Sequence, residues 1–470
     1  MDSDKYREII ISAKLADYGP VHGNIVIMPY GMEIWNSIKN QLNVALEETD
    51  HKQIYFPMFM PERFLEEEKE YIPGLAPRYF SVTKAGGKEF PEPLAIRPTS
   101  ETLACYMFSK WIESYRDLPL KVFQWCNIAR WESATQPFIK ETEIQWLEGH
   151  TIHESHQDAL IEMATISNIF KTFFERILCI PISVGFESNG RKFVGSLSTT
   201  TFEAMTPAGR ALQLGAVYDL GRNFTTHFDV SYRTVDNTKE VCWMTDWGLG
   251  FRLIGAVALI HGDNRGLRLP PAIAPIQVVL LLLKSKSNRD QNISDYGKQL
   301  CKHLRTNGIR VYVDNVGSRA MSQSLKDWEM KGIPIIVPIG DFEVQTGNLQ
   351  LRRRDRMPKC NIVNCTVDSI SKTINALFSG IANALYQDTL AYKEQHILTS
   401  DCRDEMLTLL DRNWVAAGWC GSDYCEKKLV EENGQILRYV ENDDDFIRVH
   451  HRCILCGSKA NVKAMFAKNY

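Results

Sequence analysis

The sequence predicts a chain of mixed α and β structure, α+β overall, built in three units. Three observations lead there. Short strands and amphipathic helices are interleaved over residues 1–270. From Ile276 onward, strands and helices alternate over about a hundred residues, the pattern of a small α/β domain with a largely parallel sheet. Past residue 385 a third unit, 386–470, carries five of the twelve cysteines, four of them as two close pairs.

The elements follow in order. Residues 4–16 read as a helix. "GNIVIMPYG" (23–31) reads as a short strand followed by a helix to about Glu48, and "QIYFPMFMP" (53–61) as a strand bounded by prolines. From Leu103 to Tyr115 the apolar residues fall on one helical face, with Thr99 or Ser100 placed to cap it and Glu101 suited to its positive end. Residues 120–153 hold two strand-like runs around a polar loop. A helix is predicted over 155–178, a glycine-punctuated stretch to Asp246, then the very apolar helix of "GFRLIGAVALIHG". "RLPPAIAP" (268–275) reads as a linker. The α/β unit follows, with strands at "IQVVLLLL", "IRVYVD" and "IPIIVPIG" and helices near 294–307 and at "SQSLKDWEMKG".

Bulk properties exclude several function classes. At 44% hydrophobic and 24% charged, the 470-residue chain has the composition of a soluble globular protein. With a net charge of −3 it has no global positive field, so any RNA contact must come from local patches, and DNA is not expected as a partner. The acidic start is not a signal peptide. The longest aliphatic run, Val278–Leu283, is far short of the ~20 residues that cross a bilayer. Twelve cysteines in so long a chain imply a reducing, cytoplasmic location rather than a disulfide scaffold.

Four stretches carry chemistry. In "QWCNIARWESATQPFIKETEIQWLEGH" (124–150), strand periodicity puts Arg130 and Glu132 on one face, and Glu148 and His150 repeat the pairing on the next strand. An arginine beside a carboxylate grips a phosphate while the carboxylate takes an amino group, and a surface salt bridge across a hairpin explains the pair equally. In "TDWGLGFRLIGAVALIHGD" (245–263), Arg252 opens a helix with almost no other polar residue before His261. Such a charge faces a ligand, or else reaches solvent from the helix end. Cys420-x4-Cys425 with Cys453-x2-Cys456 matches a tetrahedral zinc site, with His450 and His451 as spare candidates; four unrelated buried thiols are the alternative. "LQLRRRDRMPK" (349–359), with Arg352, Arg353, Arg354, Arg356 and Lys359, is a local positive patch, either a solvated face or an RNA contact.

Together these stretches resemble a known family. "RWE", a polar loop and "EGHTIH" resemble motif 2 of the class II aminoacyl-tRNA synthetases; "WGLGFRLIGAVALIHGD" resembles motif 3; "GNIVIMPYGMEIWNSIKNQL" with "YFPMFMP" resembles motif 1. "RPTSE", "SYRDLP", "HGDNRGLRLPPAIAPIQVV" and "WEMKGIP" are similar to the prolyl-tRNA synthetases of archaeal and eukaryotic type, almost end to end. The resemblance implies a class II antiparallel sheet with flanking helices over 1–270, an anticodon-binding α/β domain over 271–385 and a zinc-binding module over 386–470. It implies ATP with Mg2+, L-proline and tRNA(Pro) as partners, a structural Zn2+ on the four cysteines and a homodimer. By position, Thr99, Glu101, Trp146, Glu148 and His150 would hold proline. Arg130 would contact both the proline carboxylate and the α-phosphate, with Arg252 along the triphosphate. Glu132, Lys140 and Gln213 would also touch ATP, and Glu329, Arg353, Arg354 and Asp355 would read the anticodon. The interval between residues 150 and 245 leaves no room for the large editing insertion of bacterial-type enzymes.

The chain departs from the family at several places. Gln136 and Thr142 replace arginines, Lys140 replaces another and Leu147 a glutamine; Ala216 replaces a threonine; Asp219, Arg222, Gly250 and Phe251 are also unusual. Losing one phosphate-gripping arginine costs up to several hundredfold in rate. Two expectations therefore stand side by side: an active proline-tRNA ligase with a drifted ATP pocket, and a non-catalytic paralogue that binds tRNA or a partner.

Overall fold

The computed structural model describes residues 3–72, 78–285, 290–317, 319–357 and 361–470, so Lys359 of the basic run lies outside the described residues. Helix α1 (Ser3–Ser12) is shorter than predicted because Lys14 turns into the left-handed region at φ 57°. Helix α2 (Pro29–Glu47) starts on a proline, which lacks only an N–H that a helix start leaves unused. The run 53–61 is not one strand. Lys52–Gln53 forms β1, and Phe59–Pro61 pairs with Lys88–Ile96 in a separate sheet.

Helix α3 (Glu101–Trp111) stops short of Tyr115, where the Asp117 carboxylate takes the backbone N–H groups of Glu113 and Ser114 into a tight turn. The chain then runs through β2 (Leu120–Ala129), β3 (Glu143–His153), α4 (His156–Thr172), β4 (Ile182–Phe186), β5 (Ser198–Met205), β6 (Ala211–Gly221), β7 (Trp243–Gly250) and α5 (Arg252–His261). The glycine-punctuated stretch is thus mostly strand.

The α/β unit comprises β8 (Val278–Leu282), α6 (Asp290–Thr306), β9 (Val311–Asn315), α7 (Met321–Met330), β10 (Ile335–Ile339), β11 (Asn348–Arg353) and β12 (Ile362–Thr366). Its sheet order is β9-β8-β10-β11-β12. The first three strands are parallel, but β11 and β12 are antiparallel, so the sheet is mixed. The two sets differ in burial. β8 and β10 are covered on both faces, whereas β11 and β12 alternate as one-sided strands do. The proline-rich "linker" is packed: Leu269, Ile273 and Ala274 are buried, and Arg310 bonds the carbonyls of Pro271, Ala272 and Ala274.

Helix α8 (Ile370–Gln395) runs through the boundary expected at residue 385. After it come β13 (Ile397–Thr399), β14 (Trp414–Trp419), α9 (Asp423–Asn433), β15 (Leu437–Glu441) and β16 (Val462–Phe466). Among the described residues these strands extend the first unit's sheet, in the order β13-β14-β16-β15-β4-β5-β6-β7-β3-β2-β1. The join is the pair Val440–Phe186. One face of the central strands is core: Trp247, Leu147 and Leu249 pack with Phe170 of α4 and Phe202. The other face carries the site.

Candidate active site

Strand register builds that face row by row. Tyr218 of β6 lies opposite Asp246 of β7, which lies opposite His150 of β3; the next row sets Ala216 against Gly248, Glu148 and Gln124. Successive residues of a strand alternate between faces, so Trp146, Glu148 and His150 share a side with Asp246 and Gly248. Gly248 is needed there. A Cβ would lie 2.5 Å from the Trp146 ring, so only glycine lets that indole lie flat across β7.

Above this face lie three adjoining lobes that share lining residues. The first, about 340 Å3, is lined by Thr99, Glu101, Arg130, Glu132, Trp146 and Glu148, with Pro98, Tyr218, Phe193 and Asp246. Thr99 and Ser100 do not cap α3. The Thr99 hydroxyl instead donates to the Glu101 carboxylate, and the Ser100 hydroxyl accepts from Gln124. Burial, then the nearby Asp246, push the Glu101 carboxyl up to about 8. Glu148 goes the other way. Burial alone would raise it, but attraction to His150, with help from Ser100 and Arg97, outweighs burial and leaves it at about 2. His150 lies 3.3 Å from Asp246 and 3.9 Å from Glu148. Burial disfavours its charge, yet these two carboxylates raise its pKa well above the ordinary value, making it a buried cation beneath the lobe. Gln124 Nε2 donates to Glu148 at 2.5 Å and its Oε1 accepts from Phe56, which locks the carboxylate in place.

Arg130 and Glu132 are not on a strand. β2 ends at Ala129, because Trp131 N–H leaves the ladder to donate to the Arg78 carbonyl. Arg130 is aimed by one bond from Nε to the Pro98 carbonyl, 2.8 Å long. Glu132 is met by Lys140 at 2.9 Å, so these two predicted ATP contacts pair with each other in the unliganded site.

Arg252 and Gln213 line both the second and third lobes, and Trp146, Tyr218 and Gly248 join the second lobe to the first. Arg252 does not reach out to solvent. Its Nε donates to the Ile139 carbonyl and Nη1 to the Gln213 carbonyl, so motif 3 is tied to the motif 2 loop and to β6. Burial lowers its pKa, Glu203 opposes that, and the charge of Arg130 adds to it. The two arginines from distant parts of the chain thus line adjoining lobes that share Trp146, Tyr218 and Gly248. Lys140 lines the third lobe, as does Tyr470, whose hydroxyl accepts from Gln136 at 3.1 Å. Of the departures, Gln136 is therefore engaged by the chain's last residue, while Thr142 is buried against Gly23.

The candidate anticodon residues lie at a domain contact. Arg354 is 3% exposed and holds Asp263 through two bonds of 2.8 and 2.6 Å, while Arg353 forks onto Asp355. Glu329 accepts from Arg265 at 3.2 Å. The positive patch read from the basic run is smaller than its composition implies, since the guanidinium groups of Arg353, Arg354 and Arg356 all meet carboxylates.

The four thiols of Cys420, Cys425, Cys453 and Cys456 lie within 4.8 Å of one another. Tetrahedral zinc with ~2.3 Å bonds sets sulfur atoms about 3.8 Å apart, and Cys420 is 3.7 Å from Cys425 and 3.9 Å from Cys456. The donor set fits that ion. His450 is outside the cluster, paired with Asp401.

Sequence reasoning missed Gln124, Asp246, Tyr218 and Phe193. The first three follow from sheet register, which the chain alone does not fix. Phe193 comes from the loop between β4 and β5, which no motif covers.

Comparisons with known proteins agree in outline. The family model for the tRNA synthetase class II core domain (G, H, P, S and T) matches residues 83–261, the anticodon binding domain 277–377, and the prolyl-tRNA synthetase C-terminal domain 403–470. The chain is 37% identical over 467 residues to the proline–tRNA ligase of Alkaliphilus oremlandii, covering 99% of this chain and 95% of that one. It is also 37% identical over 476 residues to that of Borreliella burgdorferi, covering 99% and 97%. A crystal structure of prolyl-tRNA synthetase from Cryptosporidium parvum, complexed with halofuginone and AMPPNP, superposes with a TM-score of 0.93 at 30% identity, covering all of this chain and 97% of that one.

Proposed function

Since the chain belongs to the prolyl-tRNA synthetase family of class II synthetases, we propose how its own residues activate proline and pass it to tRNA. It is a proline–tRNA ligase. Its substrates are ATP, L-proline and tRNA, taken by the synthetase and anticodon-binding domains.

The secondary ammonium of proline sits between Thr99, Glu101 and Glu148 in the first lobe, against the Trp146 ring. The ionised Glu148 supplies the opposite charge, and Glu101 yields its proton as the ammonium arrives. His150, held cationic by Asp246, fixes Glu148 from below. One carboxylate oxygen of proline attacks the ATP α-phosphorus in line. The bond to the pyrophosphate breaks and prolyl-adenylate forms. No protein nucleophile is needed; the chain contributes placement and positive charge where negative charge develops. Arg130 serves at the carboxylate and α-phosphate, Arg252 along the triphosphate. Gln213 holds the nucleotide, and Glu132 releases Lys140 to accept the adenine amino group. Magnesium accompanying ATP would supply further positive charge at the phosphates, beside that of Arg252. A ribose hydroxyl at the tRNA 3′ end then attacks the prolyl carbonyl, releasing AMP.

The observation that carries this reading is that Arg130 and Arg252 line adjoining lobes over one sheet face, with Trp146, Tyr218 and Gly248 common to both. Cys420, Cys425, Cys453 and Cys456 would hold a zinc ion in a structural role, since four protein thiolates complete its preferred ligand number. A homodimer is supported by the motif 1 resemblance and by the exposed Val44 and Tyr55 near it. For tRNA, Glu329 and Arg353 are the candidate anticodon contacts, with the buried Arg354 and Asp355 acting through their grips on Asp263 and Arg353. Charging of tRNA(Pro) with labelled proline tests the reading. Stable acid-precipitable product is expected with proline alone among the amino acids at cellular concentrations; no product with any amino acid refutes it.

A further inference from the structure

Residues 187–197, between β4 and β5, bring Phe193 to the first and third lobes of the cavity. Phe193 stacks on Phe224 with ring centroids 6.3 Å apart and meets Tyr218 edge-on. The start of this loop is held from the C-terminal module. Glu426, on α9 directly after Cys425, is 2% exposed. Its Oε1 accepts from the Ser188 hydroxyl at 2.5 Å and its Oε2 from the Gly190 N–H at 3.3 Å. A buried carboxylate needs donors, and both of these belong to the loop. Gly190 is pressed against it: a Cβ there would lie 2.8 Å from the Glu426 carboxyl carbon. A second strut follows. Arg191 donates to the Leu437 carbonyl and to Glu203, which Arg438 also grips with two bonds.

We propose that Glu426 is a positioning residue for proline activation: it fixes the 187–197 loop from the C-terminal module and so sets Phe193 against the bound substrates, without touching them itself. The kinetic part rests on the functional reading above; the contact between module and loop does not.

Glu426→Ala is expected to raise KM for proline about tenfold with kcat within about twofold, because the wall is misplaced while the reacting groups are intact. Tryptic cleavage after Arg191 and Lys192 should accelerate, with metal per chain unchanged. Glu426→Gln, which keeps an acceptor for Ser188, should restore most of the loss. Ser188→Ala should behave as Glu426→Ala, and the double variant should add little to either. If Glu426→Ala does not fold, Gly190→Ala tests the same contact from the loop side. Unchanged KM and unchanged cleavage overturn the proposal. So does a Gln variant as impaired as the Ala variant, or a double variant whose effects simply add. Should the wild-type chain fail to activate proline, the functional reading falls, while the cleavage rates still decide the loop contact.

Discussion

Arg252 is held by two backbone carbonyls, one from the motif 2 loop and one from β6, and faces the cavity at the same time. Arg252→Ala is therefore expected to lower proline-dependent pyrophosphate exchange by about a hundredfold to a thousandfold. The circular-dichroism spectrum should keep its shape; near-normal exchange would show that the arginine serves structure alone. Glu101 gives a second test, with a definite sign. Its carboxyl is raised to about 8 in the unliganded fold, so the folded state binds a proton that the unfolded chain has already lost. Stability from this group is present below the ordinary carboxylate range and is lost as pH rises to about 8. Glu101→Gln should flatten the fall in melting temperature between pH 5 and 8. The secondary ammonium of proline favours the carboxylate, so binding at about pH 6.5 should release close to one proton, read by calorimetry in buffers of different ionisation enthalpy. Zero release would remove Glu101 from the ammonium site. Arg252 was legible in the sequence because a lone charge in an apolar stretch must be paired or functional. Asp246 was not, because its partner His150 is set by the register between β7 and β3.

Elements were legible where periodicity was long and unbroken, as in α5 and β8. They were misread where the backbone finds a partner the pattern does not show. β2 ends early because Trp131 bonds to Arg78, and α3 starts uncapped because the Thr99 hydroxyl turns to Glu101 and the Ser100 hydroxyl to Gln124. The basic run was misjudged for a similar reason: Asp263, which occupies Arg354, lies far off in sequence, just past α5. Breaking that contact by Arg354→Ala is expected to cost about 2 kcal/mol, less than a fully buried pair because Asp263 is partly exposed. A double-mutant cycle with Asp263→Ala should return most of that as coupling; additive losses would mean that the two groups act separately. In the C-terminal module, Cys453→Ser should reduce bound zinc from about one per chain to near zero and speed hydrogen exchange in β14 and β16. Unchanged metal content would mean that the four thiols are not the site.

At the scale of the whole molecule, the three units predicted from composition are not three separate bodies in the fold. The last strands extend the first unit's sheet through Val440 and Phe186, and Tyr470 closes the chain beside Gln136 of the motif 2 loop. The units could be counted from the proline cluster and the cysteine pairs, but their joining depends on edge-strand pairing that no local pattern announces. The joined sheet brings guanidinium groups from two distant motifs to adjoining lobes over one face, and the central claim is that proline and ATP react there. Proline-dependent exchange of labelled pyrophosphate into ATP by the purified full-length chain measures that reaction without tRNA. Exchange that requires proline and disappears in both Arg130→Ala and Arg252→Ala is the expected result; a folded protein that gives no exchange at saturating proline and ATP would contradict the claim.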